Sequence, residues 1–271
     1  MALDISQAAN AEKSHTMVKA AKSGEDLKDC EVIVITAGIP RKPGMSRDDL
    51  LLTNAKIMQA VLEDIKKYAP NSKIIIVSNP LDAMVYAALK ILKFPREQVI
   101  GMAGILDSAR MSHFICEKLG YGAGQIESSV MGGHGDAMVP LVNYSTVAGV
   151  SLPELLSKED IEDIVTKTKN GGLQIVKLLE TGSAYYAPAH ATSLMVEAIL
   201  HNTRKIYPCS VMLDGEYDCK NVVSGVPVML GSNGIEKIIE LNLNEEQKEL
   251  FANSVASVQE LIDTLDEKFF I

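Results

Sequence analysis

The sequence predicts an α/β protein in which a parallel sheet is followed by an α+β region, and three observations carry that reading. Glu31–Thr36 and Lys73–Ser78 are short, β-branched and apolar on both faces, as buried parallel strands are. Between them, Asp48–Ala69 has the helical period, so strand and helix alternate in one direction. Further on, Lys205–Leu213 and Val222–Leu230 flank an Asp214-Gly215 turn and read as an antiparallel hairpin.

Each remaining element follows from local pattern. Leu3–Asn10 reads as a helix that is apolar on one side. In Asp48–Ala69 the stripe is Leu51, Ala55, Met58, Leu62 and Ile65, with Ser46 and Asp49 as a capping box and Pro70 as the stop. A helix over Asp82–Leu92 and a strand around Gln98–Met102 complete a strand–helix–strand–helix–strand run with right-handed crossovers. Leu106–Leu119 is helical and stops at Gly120. Ser157–Glu180 is a long charged helix that tolerates Gly171-Gly172, Ala187–His201 is another, and Asn244–Lys268 closes the chain as an amphipathic helix. The change of character near Gly101–Leu106 divides the chain into residues 1–101 and 102–271.

Composition bounds the function. The chain has 271 residues, 47% of them hydrophobic, and a formal net charge of −9, which suits one large domain or two modest ones. An acidic balance argues against nucleic acid or anionic membrane as the main partner, because both need clustered positive charge. No stretch approaches the roughly 20 unbroken apolar residues of a membrane span, and MALDISQAANAEK lacks the regions of a secretory signal. The four cysteines, Cys30, Cys116, Cys209 and Cys219, show no CxxC and no zinc spacing. Four reduced thiols of a cytoplasmic protein and no metal are expected, although Cys209 and Cys219 flank the hairpin turn and leave a cross-hairpin disulfide open.

Ligands of open parallel sheets bind beyond the carboxyl ends of the strands, and two such ends carry unusual polar text. The first is Thr36-Ala37-Gly38, followed by a loop with Arg41 and Arg47; the second is Ser78-Asn79-Pro80. Gly38 would let a bulky ligand approach the backbone, and Pro43-Gly44 makes the loop a candidate lid, though a basic loop alone is usually solvated surface. Asp107 and Arg110, three apart on a helix, share a face; alone they would be a weak surface ion pair. His134 lies in Gly132-Gly133-His134-Gly135-Asp136 after an apolar run, a setting that gives it backbone freedom and access, and that in isolation also describes a flexible turn. Together, a carboxylate that orients an imidazole beside an arginine able to grip a carboxylate is what 2-hydroxy acid oxidation needs. Two further arginines on a closing loop suit a substrate with a second carboxylate.

These residues in this order resemble the malate dehydrogenases of the lactate dehydrogenase-like type. The segments that carry the resemblance are VIVITAGIPRKPGMSRDDLLLTNAKI, VSNPLDAMVY, VIGMAGILDSARMSHFI, MGGHGDAMVPLVNYSTVAG and TGSAYYAPA, and it runs from Met1 to Ile271. The resemblance implies a Rossmann-type NAD-binding domain followed by a catalytic domain, and reversible NAD-dependent oxidation of (S)-malate to oxaloacetate, a tricarboxylic acid cycle reaction. His134 would take the hydroxyl proton, Asp107 would hold and charge-stabilise the imidazole, and Arg110 would clamp the C1 carboxylate. Arg41 would read the far carboxylate and Arg47 would help bind and polarise the substrate. Asn79 would bond the reacting oxygen, the backbone of Val77, Ser78 and Asn79 would line the nicotinamide pocket, and Asn54 and Gly38 would contact the cofactor. A homodimer or homotetramer is implied as well.

The chain also departs from that pattern. The family opens with a strand, a GxGxxG loop, a helix and a second strand, and no GxGxxG occurs here. Met1-Ala2-Leu3-Asp4-Ile5 matches the helix that follows, so a unit of at least about 30 residues is expected to be missing, more readily by an internal start than by true truncation. Strand 3 of the family falls at Thr16–Ala20 and strand 4 at Glu31–Thr36, so strand 3 would lack a partner and strand 4 would have a bare edge. The alternatives are another 2-hydroxy acid dehydrogenase, such as a lactate dehydrogenase, or a non-catalytic remnant or subunit.

Overall fold

The computed structural model describes residues 1–40 and 44–271; Arg41, Lys42 and Pro43, and with them the expectation for Arg41, lie outside the described residues. The chain begins with α1 (Ala2–Ala11) and reaches the first strand, β1 (Val32–Ile35), after a single 3₁₀ turn. Then follow α2 (Arg47–Tyr68), β2 (Lys73–Ile76), α3 (Leu81–Leu92), β3 (Val99–Gly101) and α4 (Gly104–Leu119). The capping box of α2 forms as read: the Asp49 amide donates to Ser46 Oγ and the Ser46 amide to Asp49 Oδ2, both at 3.0 Å. Gly120 ends α4 in the left-handed conformation.

Next comes a set of two-residue strands, β4 (Ile126–Glu127), β5 (Val130–Met131), β6 (Val139–Pro140), β7 (Thr146–Val147) and β8 (Val150–Ser151). The chain continues through α5 (Leu152–Leu155), α6 (Lys158–Leu179), α7 (Tyr186–Leu200), β9 (Ile206–Asp214), β10 (Lys220–Gly231), β11 (Gly234–Ile238) and α8 (Glu245–Lys268). β5 falls on the apolar run read as a strand end before His134, whereas β11 and the other two-residue strands have no counterpart in the sequence reading, because runs this short carry no measurable period.

One sheet of order β1-β2-β3-β9-β10-β11 crosses the boundary expected at residue 101. β1, β2 and β3 are parallel, with Val32 opposite Lys73 and Ile74 opposite Val99. β9 then joins β3 antiparallel, Gly101 opposite Ser210. At that junction a Cβ on Gly101 would lie 2.8 Å from both Ser210 Cβ and Val85 Cγ2, so only glycine lets the hairpin approach. β1 ends the sheet with no described strand on its outer side, and Val34 is 38% exposed. The strand expected over Thr16–Ala20 does not form: a strand needs a hydrogen-bonded neighbour, and none of the described strands lies beside it.

One core layer packs α2, α3 and α8 against the sheet through Leu51, Met58, Leu62, Ile65, Met84 and Ile262. The other packs α7 and α4 through Met195, Leu106 and Ile100. A smaller core of Met111, Ile115, Met138, Leu152 and Ile164 holds α4 against α5 and α6. All four cysteines are free thiols. No described helix is long and apolar enough to cross a membrane.

Candidate active site

A cleft of about 1130 Å³ opens where the parallel strands end. Its floor is Thr36 and Gly38 beyond β1, Val77, Ser78 and Asn79 beyond β2, and Met102 and Leu106 beyond β3. Its far wall is one face of α6, Lys169, Gly172, Leu173 and Val176 at helical spacing, with Pro188, Thr192 and Val196 of α7. Arg110 and His134 reach into the same space.

α4 brings Asp107 and Arg110 to one face, as their spacing requires, and His134 arrives from the loop after β5. Asp107 Oδ2 lies 2.7 Å from His134 Nδ1, and Arg110 Nη1 donates to Asp107 Oδ1 at 3.0 Å. The Asp107 side chain is 2% exposed and those of His134 and Arg110 15%. A carboxylate this enclosed accepts from Nδ1–H, which leaves Nε2 as the free basic nitrogen. Burial pushes the imidazole towards its neutral form, but the charge and hydrogen bond of Asp107 and the charge of Asp82 outweigh it, Arg110 opposing, so the pKa of His134 stands above its ordinary value. Arg110 Nε is buried without a hydrogen-bond partner among the described residues, while the guanidinium as a whole lines the cleft, where an incoming carboxylate could meet it.

The His134 loop is held by three successive amides, each bonded to a different element. The Gly132 amide donates to the Gly225 carbonyl of β10 at 2.8 Å, the Gly133 amide to Ser254 Oγ of α8 at 2.8 Å, and the His134 amide to Asp82 Oδ2 of α3 at 2.8 Å. Gly132 has φ +81°, and a Cβ there would meet Ser254 Oγ at 2.5 Å, so glycine is required twice over.

Asn54 is 1% exposed on α2 and its amide is engaged with main chain. Oδ1 accepts from the Ile39 amide at 2.8 Å, while Nδ2 donates to the carbonyls of Ile39 at 3.1 Å and Asn79 at 2.7 Å. The amide that the family resemblance gives to the cofactor ties together the two loops that line the cleft, and both Nδ2 hydrogens are used. Ser78 is buried and donates to the Ala37 carbonyl at 2.5 Å. Asn79 is exposed, and its side-chain amide has no protein partner among the described residues. Gly38 packs on Asn54, whose Oδ1 a Cβ would meet at 3.2 Å. Arg47, the first residue of α2, is exposed and stands outside the cleft lining.

Three features of the site escape the sequence reading. Asp82 reads as an ordinary acid in the first turn of α3, yet it is 4% exposed behind His134. Gly171 and Gly172 read as tolerated defects in α6, yet Arg110 lies over them, its Cδ 3.3 Å from where a Cβ of Gly171 would be. Lys169 reads as one charge among many on that helix, yet it faces the cleft.

Comparison with known proteins agrees over the whole chain. Residues 1–101 match the family described as lactate/malate dehydrogenase, NAD binding domain, and residues 105–269 match lactate/malate dehydrogenase, alpha/beta C-terminal domain. The malate dehydrogenase of Aliarcobacter butzleri is 61% identical over 270 residues, covering 100% of this chain and 86% of that protein. The malate dehydrogenase of Sulfurimonas denitrificans is 63% identical, covering 99% and 85%. Among solved structures, the malate dehydrogenase of Cryptosporidium parvum superposes with a TM-score of 0.95 at 40% identity, over 98% of this chain and 86% of that one.

Proposed function

The chain belongs to the lactate/malate dehydrogenase family, and we infer from that premise that its cleft performs the reversible, NAD-dependent oxidation of (S)-malate to oxaloacetate. The observation that carries this reading is the contact of Asp107 with both His134 and Arg110, a base and a carboxylate clamp held by one buried acid. Residues 1–101 serve as the nucleotide-binding part, and residues 102–271 as the part that binds substrate and moves the proton.

The residues present fit the nicotinamide end of NAD. Val77–Asn79 and the Thr36–Gly38 segment line the cleft together with the apolar Val34, Ile39 and Met102. When bound, NAD supplies the acceptor for the hydride that leaves C2 of malate. The protein does the rest. His134 Nε2 takes the proton of the C2 hydroxyl as the hydride departs, and returns it in the reverse direction. Asp107 holds the ring and stabilises it once charged. Arg110 grips the C1 carboxylate through its remaining donors, and the Asn79 amide donates to the reacting oxygen. Arg41 reads the C4 carboxylate. Arg47, at the start of α2, helps bind and polarise the substrate.

Arg41 decides malate over lactate, because an unpaired guanidinium facing the methyl of pyruvate would cost several kcal/mol. The reaction is one of the tricarboxylic acid cycle, and we place the chain there, in the cytoplasm. Exposed apolar residues on α1 and α6, Leu3 at 73% and Leu178 at 84%, support a homodimer or homotetramer.

The test is to follow NADH oxidation by the purified protein with oxaloacetate and with pyruvate. Oxaloacetate should be much preferred, and Arg41→Gln should shift the preference towards pyruvate. Equal use of both by the parent would make it a different 2-hydroxy acid dehydrogenase, and NADH binding without turnover on either would make it a non-catalytic remnant.

A further inference from the structure

Asp82 is an expensive residue for the place it occupies. It lies in the first turn of α3 between Leu81 and Ala83, both buried, and no Lys or Arg among the described residues pairs with it. An isolated carboxylate withdrawn from water is strongly disfavoured unless hydrogen bonds compensate. Two do. Its Oδ1 accepts from Ser210 Oγ of β9 at 2.6 Å, and its Oδ2 accepts from the His134 amide at 2.8 Å. Burial pushes the Asp82 carboxyl above its usual pKa, against the pull of those two bonds. Starting α3 needs no such group, because a helix N-terminus is served as well by an exposed Ser, Thr or Asn.

What this carboxylate accomplishes is a connection. It sits three residues beyond Asn79, on the side of the cleft formed by the parallel sheet, and both its partners belong to the later part of the chain. Space around it is close: a Cβ on Gly133 would lie 3.5 Å from Oδ2. The geometry points to Asp82 as a positioning residue for proton transfer, its buried carboxylate fixing the main chain of His134 and thereby the bearing of the imidazole on Asp107. The inference rests on His134 being the proton-carrying group.

The test compares Asp82→Ala, Asp82→Asn, Ser210→Ala and His134→Asn, each measured for kcat, KM for oxaloacetate, NADH affinity by fluorescence, and melting temperature. Asn can keep both bonds, accepting from the His134 amide and donating to Ser210, whereas Ala keeps neither. Asp82→Ala should lose about 10²-fold in kcat, the cost of a displaced catalytic group, with NADH affinity within about threefold of the parent. Asp82→Asn should recover most of that loss. If Asp82→Ala does not fold, Ser210→Ala decides, because it frees one oxygen of the carboxylate and should lower kcat by about tenfold. Unchanged kcat in Asp82→Ala, or in Ser210→Ala where that variant decides, overturns the proposal. So does an Asp82→Asn variant that melts like the parent yet recovers nothing. His134→Asn separates the two readings: if it still turns over, the assignment of His134 fails, and if it is inactive while the Asp82 and Ser210 variants are normal, only the role of Asp82 fails.

Discussion

Asp107 Oδ2 lies 2.7 Å from His134 Nδ1, and the same carboxylate holds Arg110 through its other oxygen. The proton acceptor and the substrate clamp therefore share one buried charge, and several consequences can be measured.

The first concerns pH. Because Asp107 and Asp82 together outweigh burial, His134 titrates above its ordinary 6.5. Malate oxidation needs the neutral ring, so its rate should climb as pH rises through that raised value; oxaloacetate reduction needs the imidazolium and should fall through the same range. In Asp107→Asn both limbs should move to lower pH, and kcat should drop by about 10²–10⁴-fold. Profiles in both directions decide this, and limbs that stay put would detach Asp107 from the titration.

The second concerns Gly171. Alanine is favoured over glycine in a helix interior by about 1 kcal/mol, so Gly171→Ala should melt no lower than the parent. Its Cβ would nevertheless stand 3.3 Å from Arg110 Cδ and press the guanidinium off its seat. The expected result is a KM for oxaloacetate raised about tenfold with stability intact. Unchanged KM would mean that Arg110 relaxes without loss.

The third concerns Asn54. Replacing it with Ala removes three bonds at once and leaves the Ile39 and Asn79 main-chain groups unpaired among the described residues. Denaturant unfolding should show a loss of about 2–3 kcal/mol, and NADH affinity should weaken with it because the two lining loops come apart. Weaker NADH binding at full stability would instead mark Asn54 as a direct ligand.

The fourth concerns stability away from the cleft. Arg96 grips Glu216 with two bonds, Nη2 to Oε1 at 2.7 Å and Nη1 to Oε2 at 3.1 Å. Chiefly through that contact, the Glu216 carboxyl is lowered from 4.5 to about 2. A depressed carboxyl stabilises above its unfolded pKa and loses that contribution as pH falls through the folded one. Glu216→Gln should thus be less stable at neutral pH by about 1.5–3 kcal/mol, with the gap to the parent closing between pH 4.5 and about 2. A gap that does not change with pH would assign the effect to packing.

Local pattern made much of this legible. Val32–Ile35 and Lys73–Ile76 are strands because β-branched apolar runs suit a sheet covered on both faces, and α2 starts where Ser46 and Asp49 say it does. What local pattern lacks is partnership. Nothing near Gly101 or Ser210 announces that they lie opposite each other, so the hairpin was readable and its place in the sheet was not. The site divides the same way. His134, Asp107 and Arg110 are legible as chemistry, whereas Asp82 sits where helices commonly carry an acid, and only its burial distinguishes it. Asn54 has the composition of a ligand contact and the bonds of a tie between loops.

The His134 loop has no hinge of its own. With residues 132, 133 and 134 moored to β10, α8 and α3, the imidazole can shift only if the interior of the fold shifts with it. A diacid therefore enters the cleft past half-exposed side chains of its other wall, such as Leu173 of α6 and Tyr185 just before α7. The reacting carbon travels to a stationary base.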